Sequence, residues 1–173
     1  TLADVTLVNT LPEDMATALK GGAVDAVATW NPHLYNAIHA LPDEQILIFS
    51  SDVYTEVSVL AGLRTVIHDR DEAFKRLLVA LDKADHYLQA RPKIALDIVT
   101  AHLDGQSSEM IANTWQATRK KLGLSNVLLN ALEGQANWLS ERGQNSGEVP
   151  DFHTIISSEY LQGVAPEEVT ILN

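Results

Sequence analysis

Thr29, Trp30 and Asn31 stand in a row at the end of an apolar run, with Pro32 directly behind them. An indole covers the aliphatic or ring part of a ligand, while the flanking hydroxyl and amide supply hydrogen bonds. Asn9 and Thr10 make a second junction of the same kind, and Tyr54, Thr55 and Glu56 make a polar turn. The candidate ligand-binding residues are therefore Thr10, Thr29, Trp30, Asn31, Tyr54 and Thr55. Each has a plainer alternative: Trp30 as core packing, Thr10 and Asn31 as helix caps, and residues 54–56 as a polar loop.

Signals for catalysis in the sequence are weak. It holds no G-x-S-x-G, no H-E-x-x-H, no phosphate-binding glycine loop and no GxGxxG. Six histidines are scattered along the chain, and the nearest pair, His33 and His39, falls on different helix faces, which argues against a metal pair. Glu13, Asp14, Asp71 and Glu72 fall in helix first turns, where dipole compensation accounts for them. Cysteine count is zero, which removes thiolate catalysis, disulfides and cysteine-based metal sites. The expectation is a binding role without catalysis, cofactor or metal. Twelve basic against 23 acidic residues give a net charge of −11. That balance lacks the clustered basic face a nucleic acid requires, but a local pocket can still favour an anionic small molecule.

Three short α/β cycles are expected to position these residues. Residues 4–9 alternate as a strand, Thr10 offers an N-cap with Glu13 at capping-box spacing, and Gly21-Gly22 stops the first helix. Residues 23–30 read as a strand covered on both faces, Asn31 as the cap of a second helix, and 45–49 as a third strand. Strand and helix alternating at these lengths predict a parallel sheet. Residues 56–67 read as a long extended run, and almost everything after it as helix. Phe74, Leu77, Leu78, Leu81, Ala84 and Leu88 predict a helix over 71–90, which Pro92 breaks. A second helix ends near Asp104-Gly105, a third runs from Met110 to Gly123, and a fourth carries Val127, Leu128, Leu132, Ala136 and Leu139 before Gly143. Asp151 caps a last short helix, and residues 166–172 read as an edge strand.

That organisation is unbalanced. Three strands lie in the first fifty residues, yet the helices that follow carry apolar stripes with hardly any sheet to cover. Each stripe needs a partner layer. At roughly 25 cal/mol per Å² of apolar surface, leaving several in water costs much of the ~5–15 kcal/mol that keeps a domain folded. The expected cover is a missing N-terminal part of the same protein, a second chain, or the helices themselves as a bundle. The opening "ADVTLVN" reads as a strand with neither cap nor starting Met, so the chain is expected to be a piece of a longer protein.

The stretch "DVTLVNTLPEDMATALKGGAVDAVATWNP" resembles the second lobe of periplasmic solute-binding proteins of ABC importers. The branch it resembles serves aliphatic sulfonates, taurine, nitrate and thiamine-precursor pyrimidines. Pro12, Asp14, Ala18, Leu19, Gly22, Val24, Asp25, Ala26, Trp30 and Pro32 carry the likeness. The closing "PDF…YL…VAPEEVTI" resembles the family's final segment. The resemblance implies an α/β, type II binding-protein fold of two Rossmann-like lobes with a helix-rich C-terminal half. It divides the chain into 1–53 in lobe two, a hinge and returning strand at 54–67, and 68–173 belonging to lobe one. It also implies a periplasmic location, a small-molecule ligand in an inter-lobe cleft and a membrane permease as partner, with no nucleic acid. The family often carries Asp or Glu between Trp and Pro to meet a ligand amine. Asn31 stands there instead, which disfavours a cationic ligand group. Two other outputs fit the same resemblance: a ligand-sensing domain of a signalling protein, and a pyrimidine-precursor enzyme on the same fold.

Overall fold

A computed structural model describes residues 2–41, 46–50, 55–103, 106–115, 120–144 and 147–171. The chain forms two compact units, one from residues 1–50 with 96–119 and the other from 51–95 with 120–173.

In the first unit, a single 3-10 turn at Pro12–Asp14 leads into α1 (Met15–Lys20), and α2 (His33–Ala40) packs against it. The glycine pair ends α1 as expected. Gly22 takes a left-handed φ of 70°, its N–H reaches Leu19 O at 3.2 Å, and the Ala23 N–H reaches Ala18 O at 2.9 Å. Those two bonds satisfy carbonyls that the helix end leaves open, and only glycine takes that φ without strain. Ala37 of α2 is buried. Farther along the chain α5 (Pro92–His102) carries it from the second unit to the first, and α6 (Ser108–Trp115) buries Met110 and Ile111. The Ser107 hydroxyl accepts the Met110 N–H at 3.1 Å, a side-chain cap that starts α6.

The second unit is helical. It holds α3 (Arg64–Asp69), α4 (Asp71–Ala90), the start of α5, α7 (Asn126–Glu141) and α8 (Glu159–Gln162). The helix read over 71–90 is α4, ended before Pro92, and the one stopped by Gly143 is α7, with Gly143 at φ 67°. Leu78, Leu129, Ala136, Leu161 and Ala165 are buried here. Phe74 of α4 meets Tyr160 of α8 edge to face at 5.0 Å, and Tyr160 also bonds the Asp71 carboxylate. Asp151 caps the turn Phe152–Thr154 by accepting the His153 N–H at 3.0 Å, and Arg64 donates to Thr154 O at 2.9 Å.

Sheet structure departs from expectation. Among the described residues, strand pairing is limited to one isolated parallel bridge, Leu124 with Val169. The strands read at 4–9, 23–30 and 45–49 are not formed: Asp4 ends a 3-10 turn (Leu2–Asp4), their other described residues are irregular, and residue 45 lies outside the described residues. Leu7, Leu47 and Phe49 are 76%, 84% and 88% exposed. The returning strand read at 56–67 is likewise irregular as far as Leu63 and turns into α3 at Arg64. The reason is one of hydrogen-bond bookkeeping: a helix satisfies its backbone from its own sequence, whereas a strand needs a second strand at the right register. The edge strand read at the C-terminus shrinks to the bridge at Val169 for the same reason.

The third long helix also ends early. α6 is described as far as Trp115, and residues 120–123 are not helical, although the sequence pattern runs on to Gly123. A side chain from elsewhere claims this segment. The Asp85 carboxylate accepts the Leu122 N–H at 3.1 Å, and Gln89 donates to Lys120 O at 2.7 Å. Lys121 then pairs with Glu168 at 2.7 Å, while Leu124 bonds Glu168 O and Thr170 N–H, each at 2.8 Å. Asp104 and Gly105 lie outside the described residues.

Candidate functional site

The entry to α2 is built from Trp30 and Pro32. Trp30 O accepts the Leu34 N–H at 2.8 Å, and Pro32 O accepts the Asn36 N–H at 3.1 Å. Pro32 occupies the cap position, and the Asn31–Pro32 peptide is cis. Asn31 therefore does not cap α2. It sits one residue outside the cap, too far back for its side chain to reach the first free N–H groups. Thr10 does not cap α1 for a similar reason: Leu11 holds the cap position of the Pro12–Asp14 turn, and Asp14 that of α1, without a side-chain bond at either.

What remains at residues 29–31 is a partly exposed aromatic and polar cluster. Trp30 is 49% exposed, so it is not sealed core. Its ring meets that of His33 at 5.6 Å, with the planes 81° apart. Thr29 and Asn31 are half-buried, and the Thr29 hydroxyl oxygen is buried with no hydrogen-bond partner. An orphaned hydroxyl one residue before a half-open indole would suit a ligand that presents one apolar surface and one polar atom. Thr10 is half-buried in the same unit. Thr55 is exposed and belongs to the second unit, and Tyr54 lies outside the described residues.

One concave surface was not evident from the sequence. Within the second unit, a cavity of about 760 Å³ opens along α7, lined by Val127, Ala131, Gly134 and Trp138 together with Thr55. The Arg142 guanidinium lies 4.3 Å from the Trp138 ring centre. The sequence pattern placed Val127 and Leu139 on the apolar stripe of this helix, but they are 48% and 38% exposed. Ala136 of the same stripe is buried, as is Leu129, which the pattern left out. The spacing of 127, 131, 134 and 138 marks this open face, since residues three and four apart share one side of a helix.

Perturbed titratable groups lie in the second unit. A hydrogen bond from Lys75, at 2.6 Å, holds the Asp71 carboxyl below its usual range, and the same contact raises the Lys75 ammonium. Burial, and then its bond to Asp71, push the Tyr160 phenol up. Burial lowers Lys120. His86 is raised by its bond to the Asp82 carbonyl and by the nearby Asp82 carboxylate. Apart from Lys120, these are pairings within and between helices of the second unit. Among the described residues no cluster of three or more His, Cys, Asp or Glu side chains is placed to hold a metal ion. No helix among them is long and apolar enough to cross a membrane.

Comparison with known proteins gives a coarse agreement. Proteins of Brucella abortus, Brucella suis and Brucella melitensis, each named "Putative binding protein", are 23% identical over 143 residues. The aligned region covers 80% of this chain and 44% of each of theirs, so the chain spans less than half the length of these curated relatives. No family model matches the sequence, and no solved structure matches it either. The likeness to these relatives supports a binding function in general terms.

Proposed function

We propose that this chain forms part of the extracytoplasmic substrate-binding component of an ABC importer. In this reading it captures a small polar or anionic organic molecule, of the sulfonate, nitrate or pyrimidine kind, and delivers it to a membrane permease without chemistry. The ligand lies in a cleft of a two-lobed, type II binding protein, and closure is a hinge motion biased by contacts to both lobes. Trp30 shields the ligand's apolar surface, and Thr29 and Asn31 bond its polar end. Thr10, in the same unit, is the remaining contact assigned to it.

The observation that carries this reading is the half-exposed Trp30 indole, preceded in the chain by the unpartnered Thr29 hydroxyl. Asn31, an amide where the resembling family often has a carboxylate, favours a neutral or anionic ligand over an amine. The name shared by the Brucella relatives agrees with the binding role. The test is a thermal-shift screen of the full gene product against taurine, alkanesulfonates, nitrate, carboxylates and pyrimidines. A true ligand at about 100 times its Kd adds ~2.7 kcal/mol of stability and raises Tm. Trp30→Ala is expected to weaken that ligand by roughly 1–3 kcal/mol in titration calorimetry. No shift from any compound, or an unchanged affinity in the Trp30→Ala protein, contradicts the proposal.

A further inference from the structure

We propose that His33 is the positioning residue of this site: its imidazole sets the plane of the Trp30 indole and leaves part of the ring open. The inference rests on the binding role given above for Trp30. It starts from the geometry of the pair. Ring centres 5.6 Å apart with planes at 81° form an edge-to-face contact, the arrangement that aromatic quadrupoles favour.

The backbone makes that contact durable. Trp30 O accepts the Leu34 N–H at 2.8 Å, and Pro32 O accepts the Asn36 N–H at 3.1 Å, so both residues belong to one hydrogen-bonded entry to α2. Residues three apart in such a turn lie on the same side. Tyr35, the other aromatic side chain of the helix, stacks on His39 at 3.8 Å and so engages a different histidine. Trp30 itself follows an irregular stretch, where nothing periodic limits its rotamers. An indole left free there loses rotamer freedom whenever a ligand binds, and that loss weakens binding. Holding it against His33 in the free protein removes the cost beforehand. Thr29, the residue before it in the chain, carries the buried and unpartnered hydroxyl.

The experiment uses the full gene product with ¹⁵N-labelled indoles, the Trp30 resonance being assigned by its loss in Trp30→Phe. In ligand-free protein, His33→Ala and His33→Leu are expected to move this resonance to the position of a freely exposed indole. His33→Phe, which keeps an aromatic edge, is expected to leave it near its native position. Titration with taurine as the probe should show the Ala and Leu variants about 3- to 10-fold weaker, the loss expected from immobilising one side chain, with Phe near wild type. A packing role for His33 alone predicts recovery by Leu as well as by Phe, which overturns the proposal. So does a Trp30 resonance that stays fixed in the Ala and Leu variants. Should wild type fail to bind taurine, the binding reading for that ligand falls, and the resonance pattern alone decides the role of His33.

Discussion

Thr29 combines two properties that rarely coexist without a reason. Its hydroxyl oxygen is out of water and has no partner, which costs the folded state. Thr29→Val removes that cost and should raise stability by about 1 kcal/mol in urea unfolding, while weakening whichever ligand the thermal screen identifies. Ser140 is the internal control. Its hydroxyl on α7 is also buried and unpartnered, so Ser140→Ala should give a similar gain with unchanged affinity. Equal loss of affinity in both variants would remove Thr29 from the site. Of the six candidate residues, the Thr29–Asn31 group was legible because its types and order stand out against an apolar run. The capping roles of Thr10 and Asn31 were misread, because Leu11 and Pro32 take the cap positions and shift each side chain one residue too far back. His33 was weighed only as half of a metal pair, because an edge-to-face contact is a matter of ring orientation, which spacing alone does not give.

At the scale of elements, α7 offers the sharpest contrast between two glycines. Gly134 lies in the helix interior, and a Cβ built there meets nothing within 4 Å. Gly134→Ala should therefore stabilise the chain by roughly 0.5–1 kcal/mol through helix propensity and a less free unfolded state. Gly143 sits at φ 67°, beyond the helix end, and Gly143→Ala should cost about 1–2 kcal/mol despite equally open space. Denaturant midpoints of the two variants should move in opposite directions. A Gly134→Ala protein that loses stability in the full gene product would show that the groove along α7 is filled there. α4 and α7 were readable because their period, breakers and stops all lie within the sequence of the helix. α6 was overextended because the Asp85 carboxylate, 37 residues away in sequence, draws off the Leu122 N–H.

Across the whole molecule, two surfaces respond to conditions. Leu7, Leu47, Phe49 and Leu63 are all more than 70% exposed, in stretches that pair with no strand among the described residues. The 173-residue chain on its own is therefore expected to bind a hydrophobic dye strongly and to associate with rising concentration, as light scattering would report. A dye signal as low as that of an ordinary folded domain would contradict this. Charge responds to pH through α4. His86 has its folded pKa raised, chiefly by the Asp82 carbonyl and then the Asp82 carboxylate. Its contribution to stability is fully present below the unfolded imidazole value and is lost as pH rises through the folded one. Asp71 has the opposite sign, with a lowered pKa, so its contribution is present above the usual carboxylate value and is lost as pH falls. Both side chains are in contact with water, so each effect on stability is small. A proton NMR titration should find His86 titrating above an ordinary imidazole, and Asp82→Asn should bring it down.

What the sequence determined by itself is the set of elements whose hydrogen bonds are local. The 71–90 helix, the break at Pro92, the glycine stops at Gly22 and Gly143 and the Asp151 cap all follow from residues within a turn or two. Tertiary structure alone decided which face of α7 is buried, where α6 ends, how Trp30 is oriented, and that the apolar stretches of the first fifty residues are left unpaired. The physical reason is the same in each case. A helix turn closes on its own neighbours, whereas a buried face, an aromatic pair or a strand takes its partner from outside its own turn, which local pattern does not specify.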